Sequence, residues 1–253
     1  MNAKFAFEQS TVLEAVVKRV ETSMKKVMFK MSKDIQSRIT KIVGTKKLAR
    51  GDDVDWDAIL DDLQDEYGVA LGAGLAIGQN KSYLFGEREI GTHFGYKHGE
   101  IGPAGTFDFK TIPKGVIKES EQIAAKISDS TIENFVVGNK RKFLRQNVRT
   151  IVQNGVDAGL SSTEINEKIA KLFKNNTEWK VAEITRTEVP RAYNNGRMAA
   201  GFKAGAKKAR IILGGRPCSW CIANAPLVKT MAQAQEYFAV HHITNDCSIL
   251  PIL

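Results

Sequence analysis

Apolar residues recurring every three or four positions over most of the chain predict a mainly α-helical protein, and a late change of pattern predicts a small α+β module at its carboxyl end. Composition sets the broad class. The 253 residues are 43% hydrophobic and 26% charged, as in water-soluble globular proteins. No uncharged apolar run reaches the ~18 residues of a membrane-spanning helix. The amino-terminal stretch mixes acids and bases without an apolar core and cleavage site, so no signal peptide is expected and the chain is expected to stay where it is made.

Residues 1–50 are predicted as one long basic amphipathic helix. Leu13, Val16, Val17, Val20, Met24, Val27, Met28, Met31, Ile35, Ile39 and Ile42 fall on one face at helical spacing. Lys18, Arg19, Lys25, Lys26, Lys30, Lys33, Arg38 and Lys41 lie mostly off that stripe, and Gly44 supplies a stop. Two readings fit such a helix: one packed on its own domain, and a partner-binding arm with a solvated basic back.

Residues 51–115 form the next segment. An acidic helix is expected over 54–67, a glycine-rich apolar helix begins at Val69, and an irregular stretch from Gly86 to Pro113 reads as a long loop or a loose β-excursion. Gly72, Gly74 and Gly78 lack the flanking strand and the GKS/T of a phosphate loop, so they read as close helix packing. His93 and His98 lack the further ligands of a metal pair and read as exposed loop residues.

Residues 116–253 return to helical periodicity. One helix is predicted from Val116 to near Gly138, a second carries Phe143, Leu144, Val148, Ile151 and Val152 inward and closes at Gly155–Gly159, and Ser162 caps a third. Ser161 and Glu164 have the S-x-x-E form of a capping box. A polar break at Lys174–Thr177 precedes a fourth helix over 178–204, which Pro190 should bend or mark. From 206 a strand, a turn with two thiols, a short helix over 229–239 and a terminal strand make the α+β module.

Charge narrows the partners. The net charge is +9, and a positive field attracts DNA, RNA and acidic protein surfaces. Residues 1–50 hold twelve Lys or Arg against four acids, whereas 51–68 hold eight acids and no base, so the net charge belongs to 69–253. Lys140, Arg141, Lys142, Arg145 and Arg149 put five bases within ten residues, a candidate contact for nucleic acid or another polyanion, or else a solvated helix face.

The candidate chemistry lies at the carboxyl end. Cys218 and Cys221 form a C-x2-C knuckle, followed by His242 and Cys247. Three thiolates and an imidazole are a ligand set zinc prefers, and four of them close a tetrahedron without an open position. Such a Zn2+ would be structural, contributing on the order of 10 kcal/mol to folding. Three other readings stand beside it: buried small hydrophobes, an oxidised bridge, and a redox pair of the C-x-x-C kind. The string from Cys218 to the paired His241 and His242 also resembles an HNH nuclease, but no further histidine follows His242. No GxSxG is present and no carboxylate pair stands out, so no enzyme is expected and no catalytic residue is assigned.

The stretch from Glu183 through Cys221, followed by His242 and Cys247, resembles the phage head morphogenesis family, the Mu F-like minor capsid proteins. Members typically carry an A-R-T-E-x-x-R-A-Y-N-x-G-R-like helix, a strand, a C-x2-C and a closing H-P-N-C-R-C-x-x-x-P. Thr185, Arg186, Thr187 and Glu188 match the first element; Arg191, Ala192, Tyr193, Asn194, Gly196 and Arg197 continue it. Asn245 stands where the earlier of the two closing cysteines would be, leaving four candidate ligands. The resemblance covers residues 140–253. It implies a structural, non-enzymatic protein of the virion, present in few copies in the capsid interior or at the portal vertex after assembly in the host cytoplasm. Its implied partners are the portal protein and other capsid proteins, with a role in DNA packaging or DNA ejection; no membrane and no small-molecule substrate are implied. A host nucleic-acid-binding zinc protein and an HNH-type nuclease are the alternatives.

Overall fold

The computed structural model describes residues 3–45, 61–136, 143–213, 219–224, 228–241 and 247–253. Among them seven helices dominate: α1 (Ala3–Thr45), α2 (Val69–His93), α3 (Lys114–Val136), α4 (Phe143–Asp157), α5 (Ser162–Lys203), α6 (Ser219–Asn224) and α7 (Met231–His241). A π-helical turn, Gln64–Gly68, leads into α2. Two strands, β1 (Ile101–Gly102) and β2 (Gly105–Thr106), make a small hairpin, and β3 (Lys208–Ile212), β4 (Val228–Thr230) and β5 (Ser248–Ile252) make an antiparallel sheet in the order β4-β3-β5. The mainly helical class and the small sheet region agree with expectation. No described helix is long and apolar enough to cross a membrane.

The chain forms two compact units: residues 1–21, 75–120 and 182–253 in the first, and 22–74 with 121–181 in the second. They do not follow chain order, since α1, α2, α3 and α5 each contribute to both.

In the second unit the long α1 buries the expected stripe. Met24, Met28, Met31 and Ile35 are buried, as are Leu63, Tyr67, Leu71, Ala124, Val152, Ile165 and Ile169. The acidic segment meets the basic helix directly. Arg38 pairs with Asp62 and, at 3.4 Å, with Glu66, while the Tyr67 hydroxyl donates to Asp34. Lys30 lies 5.5 Å from the Tyr67 ring centre. α5 begins on the capping box: Ser161 N–H donates to Glu164 Oε2 at 2.8 Å, and Glu164 N–H donates back to Ser161 Oγ at 3.3 Å. The N-cap is therefore Ser161, one residue before the expected Ser162.

Two expectations for the helices need correction. α2 does not yield to a loop at Gly86 but runs to His93, and the chain leaves it at Gly95, whose φ of 85° lets Tyr96 N–H reach back to Gly91 O at 2.9 Å. Its buried face interleaves glycines and polar residues with Leu71, Leu75, Tyr83 and Ile90, which weakens the hydrophobic period. Nor is there a break at Lys174–Thr177, because α5 is one helix of 42 residues that also runs through Pro190. Asn and Thr in a helix interior cost only tenths of a kcal/mol each, up to about 0.7, which tertiary packing on either side overrides.

The first unit has two cores. Phe107, just after the hairpin, is fully buried with Ile90, Ala200 and Ala204 and stacks on Tyr96 at 4.3 Å between ring centres. The sheet supplies the other: Ala209, Ile211 and Ile249 turn inward with Cys247 onto Met198, Met231 and Ala234. α7 opens on a second capping box, with Thr230 and Gln233 exchanging hydrogen bonds of 3.2 Å. His93 and His98 are exposed, as expected, although His93 ends a helix.

Candidate functional site

The residues carrying the family-like motif converge where α5 crosses α2 in the first unit. The crossing is set by two glycines. A Cβ at Gly86 would overlap the carbonyl oxygen of Tyr193, and one at Gly196 would overlap that of Tyr83. Any side chain at either point would force the backbones apart.

With the backbones in contact, the flanking side chains enter the interface. Arg197 is fully buried and sets its Nη2 3.2 Å from Glu89 Oε1. The Tyr193 hydroxyl donates to the other oxygen of Glu89, and the Arg197 guanidinium lies 5.3 Å from the Tyr193 ring centre. Lys203 pairs with Glu87, whose side chain is also fully buried. One turn earlier, Arg191 Nη1 donates to both oxygens of Glu188 at 2.9 and 3.2 Å, and Gln79 Nε2 donates to Glu188 at 3.4 Å. Thr185 Oγ1 and Arg186 Nε each reach Glu21 Oε1 on α1, at 3.3 and 3.4 Å.

Asn194 turns the other way and clamps the sheet. Its Nδ2 donates to the Cys247 carbonyl at 3.3 Å, and its Oδ1 accepts from Ile249 N–H at 3.0 Å. One amide thus pairs with the backbone of β5 as a neighbouring strand would. Gly201 makes the room: a Cβ there would stand 2.5 Å from that of Pro251.

Burial dominates the electrostatics. Removal from water pushes Glu87, Glu89 and Glu188 above the ordinary carboxylate value of 4.5, while Lys203, Arg197 and Arg191 respectively pull them back. Burial also raises the Tyr193 hydroxyl, opposed by the Arg197 charge and reinforced by Glu89. Tyr83 rises for the same first reason, with Glu87 and Glu119 adding to it. The arrangement can hold two helices and a strand in one register. A charge without its partner here would be costly.

Arg186 and Arg191 point outward from this cluster, with side chains 52% and 32% exposed. Arg186 pairs with a different element, whereas Glu188 pairs within its own helix. Tyr193 and Asn194 each bond to a distant element. Gln79, Glu87 and Glu89 were not anticipated as site residues. Two of them fall in the stretch read as irregular, and the clue was the E-x-E set one helical turn beyond Tyr83.

Of the candidate metal ligands, Cys218 and His242 lie outside the described residues, and Cys221 stands in α6 with its side chain outside the description. Cys247, just before β5, is buried among Met198, Ile211 and Ile249. Among the described residues no group of three or more His, Cys, Asp or Glu is placed to hold a metal ion. Lys140, Arg141 and Lys142 also lie outside the described residues, and Arg145 and Arg149 belong to α4 with undescribed side chains. No family model, curated protein or solved structure matches this chain.

Proposed function

We propose that this chain is a minor capsid protein of phage heads: a structural, non-enzymatic component placed near the portal vertex, acting in DNA packaging or delivery. One observation carries the reading. The motif residues Thr185, Glu188, Tyr193, Asn194 and Arg197 are all buried and bonded within the chain. A motif that joins helix to helix and helix to strand suits a scaffold better than a reaction centre, where reactive groups must meet a substrate.

In the same reading Cys218, Cys221, His242 and Cys247 hold one structural Zn2+. Support comes from the donor types and their order, and from the Asn194 clamp that fixes Cys247 at one end of β5. The ion would supply cross-linking of the terminal strand and no chemistry.

Purified particles decide the matter. Mass spectrometry of intact heads should find the chain at a copy number far below that of the major shell protein. Its absence from particles, with retention in the host cytoplasm, would favour the host nucleic-acid-binding alternative. Cleavage of DNA upon addition of Mg2+ or Ni2+ would favour the HNH alternative.

A further inference from the structure

α1 divides its charges between two tasks. On its packed side Arg38 is taken up by Asp62 and Glu66, and Asp34 by Tyr67. On the outer side Lys30 also lies 5.5 Å from the Tyr67 ring centre, yet remains exposed. Between residues 22 and 41 the exposed positions among the described side chains are Thr22, Ser23, Lys26, Lys30, Lys33, Ser37 and Lys41. From Lys26 onward they step by four, three, four and four along the sequence, which keeps them on one line of the helix surface. Four ammonium groups and three hydroxyls therefore form a ridge about 28 Å long at ~1.5 Å per residue. None of these seven described positions is a carboxylate or an apolar residue.

We propose that this ridge is a sequence-independent contact for a nucleic-acid phosphate backbone. Every side chain on it can donate a hydrogen bond to a phosphate oxygen, and four carry a positive charge. The short Thr and Ser side chains between the lysines let a backbone approach closely. A protein partner fits less well, because protein interfaces rest on buried aromatic or aliphatic anchors and this face offers none. A membrane surface fits less well for a related reason: an interfacial helix inserts its apolar face, and the apolar face of α1 is buried against its own unit. No base-reading side chain such as Asn, Gln or Arg stands among the seven, so sequence preference is not expected.

The inference does not depend on the head-assembly reading, since residues 22–41 lie outside the stretch that carries the family-like motif. The test uses the purified full chain, a labelled 20-base-pair duplex of arbitrary sequence, and the variant Lys26→Gln/Lys30→Gln/Lys33→Gln/Lys41→Gln. Lys30 also meets the Tyr67 ring, so where the quadruple variant melts below the wild type, the exposed pair Lys26→Gln/Lys33→Gln replaces it, with an expected loss of about 1.8 from the slope. Each lysine lost should reduce the slope of log K against log salt by about 0.9. The quadruple variant should therefore lose about 3.6 from that slope, and about a hundredfold of the wild type's weakening between ~50 and ~200 mM salt should disappear. The loss should be equal on unrelated sequences. An unchanged slope and affinity would overturn the proposal. So would tighter wild-type binding to polyglutamate or to phosphatidylserine vesicles than to DNA, lost in the same variant. Failure here leaves the particle experiment unaffected, and failure there leaves this one standing.

Discussion

A fully buried guanidinium persists only where its surroundings answer its charge, and for Arg197 the answer is Glu89. Replacing Arg197 by Met strands a buried carboxylate and should destabilise the chain by about 3–5 kcal/mol. The double replacement Arg197→Met/Glu89→Gln should recover most of that loss, because it removes the charge left behind. Chemical denaturation of the two single variants, the double variant and the wild type measures the coupling. Additive losses would show that the pair acts independently. Glu188 gives a second handle. Folded Glu188 holds its proton more tightly than an unfolded glutamate, since burial raises it above 4.5. The stability that follows is complete below that value and is lost as pH rises through the folded one. The difference in unfolding free energy between wild type and Glu188→Gln should thus shift against the wild type between acidic and neutral pH. A difference constant across that range would contradict the assignment. The Arg197 pair was not legible beforehand: Glu89 stands 108 positions from Arg197, and nothing local in either neighbourhood announces the other.

Elements were more legible where their signals are local. The Val and Met stripe of α1 needs only helical spacing, and the buried Val20, Met24, Met28, Met31 and Ile35 all belong to it. The capping box of α5 is equally local. Ser161→Ala should cost about 1 kcal/mol, read as a lower denaturation midpoint with unchanged slope; Ser162→Ala, one residue inside the helix, should cost less. The Thr230–Gln233 box before α7 has the same T-x-x-Q form and could have been recognised in the same way. α2 was harder, because beside Leu71, Leu75, Tyr83 and Ile90 its inner face carries Gly72, Gly78, Gly86, Gln79, Glu87 and Glu89, which look like loop when judged by hydrophobicity. Those glycines set the approach of α5. Gly196→Ala would place a methyl group against a backbone carbonyl of α2, and backbone yields less readily than a side chain. The loss should be about 1–3 kcal/mol or more, whereas Gly115→Ala, with open space around it, should be tolerated.

At the scale of the molecule the charges of neighbouring segments proved informative and their order along the chain did not. The basic first 50 residues and the acidic segment after them meet through Arg38, Asp62 and Glu66, as their opposite signs suggest. Chain order, by contrast, did not disclose that long helices would each contribute to two compact units. The thiol-rich module is the remaining test at this scale. If Cys218, Cys221, His242 and Cys247 share one ion, elemental analysis of the wild type should find zinc, and Cys221→Ser should release it and lower the melting temperature. An unchanged melt with no metal in either protein would reject the site.

Among the described residues the sheet is bordered on one side by β5, which carries Pro251, and on the other by β4, of three residues. A proline offers no amide hydrogen to a newcomer, and three residues offer too few to template one. Copies of this chain crowded together during synthesis therefore find little purchase for strand-by-strand growth, and fibre formation through this sheet is disfavoured by its own borders.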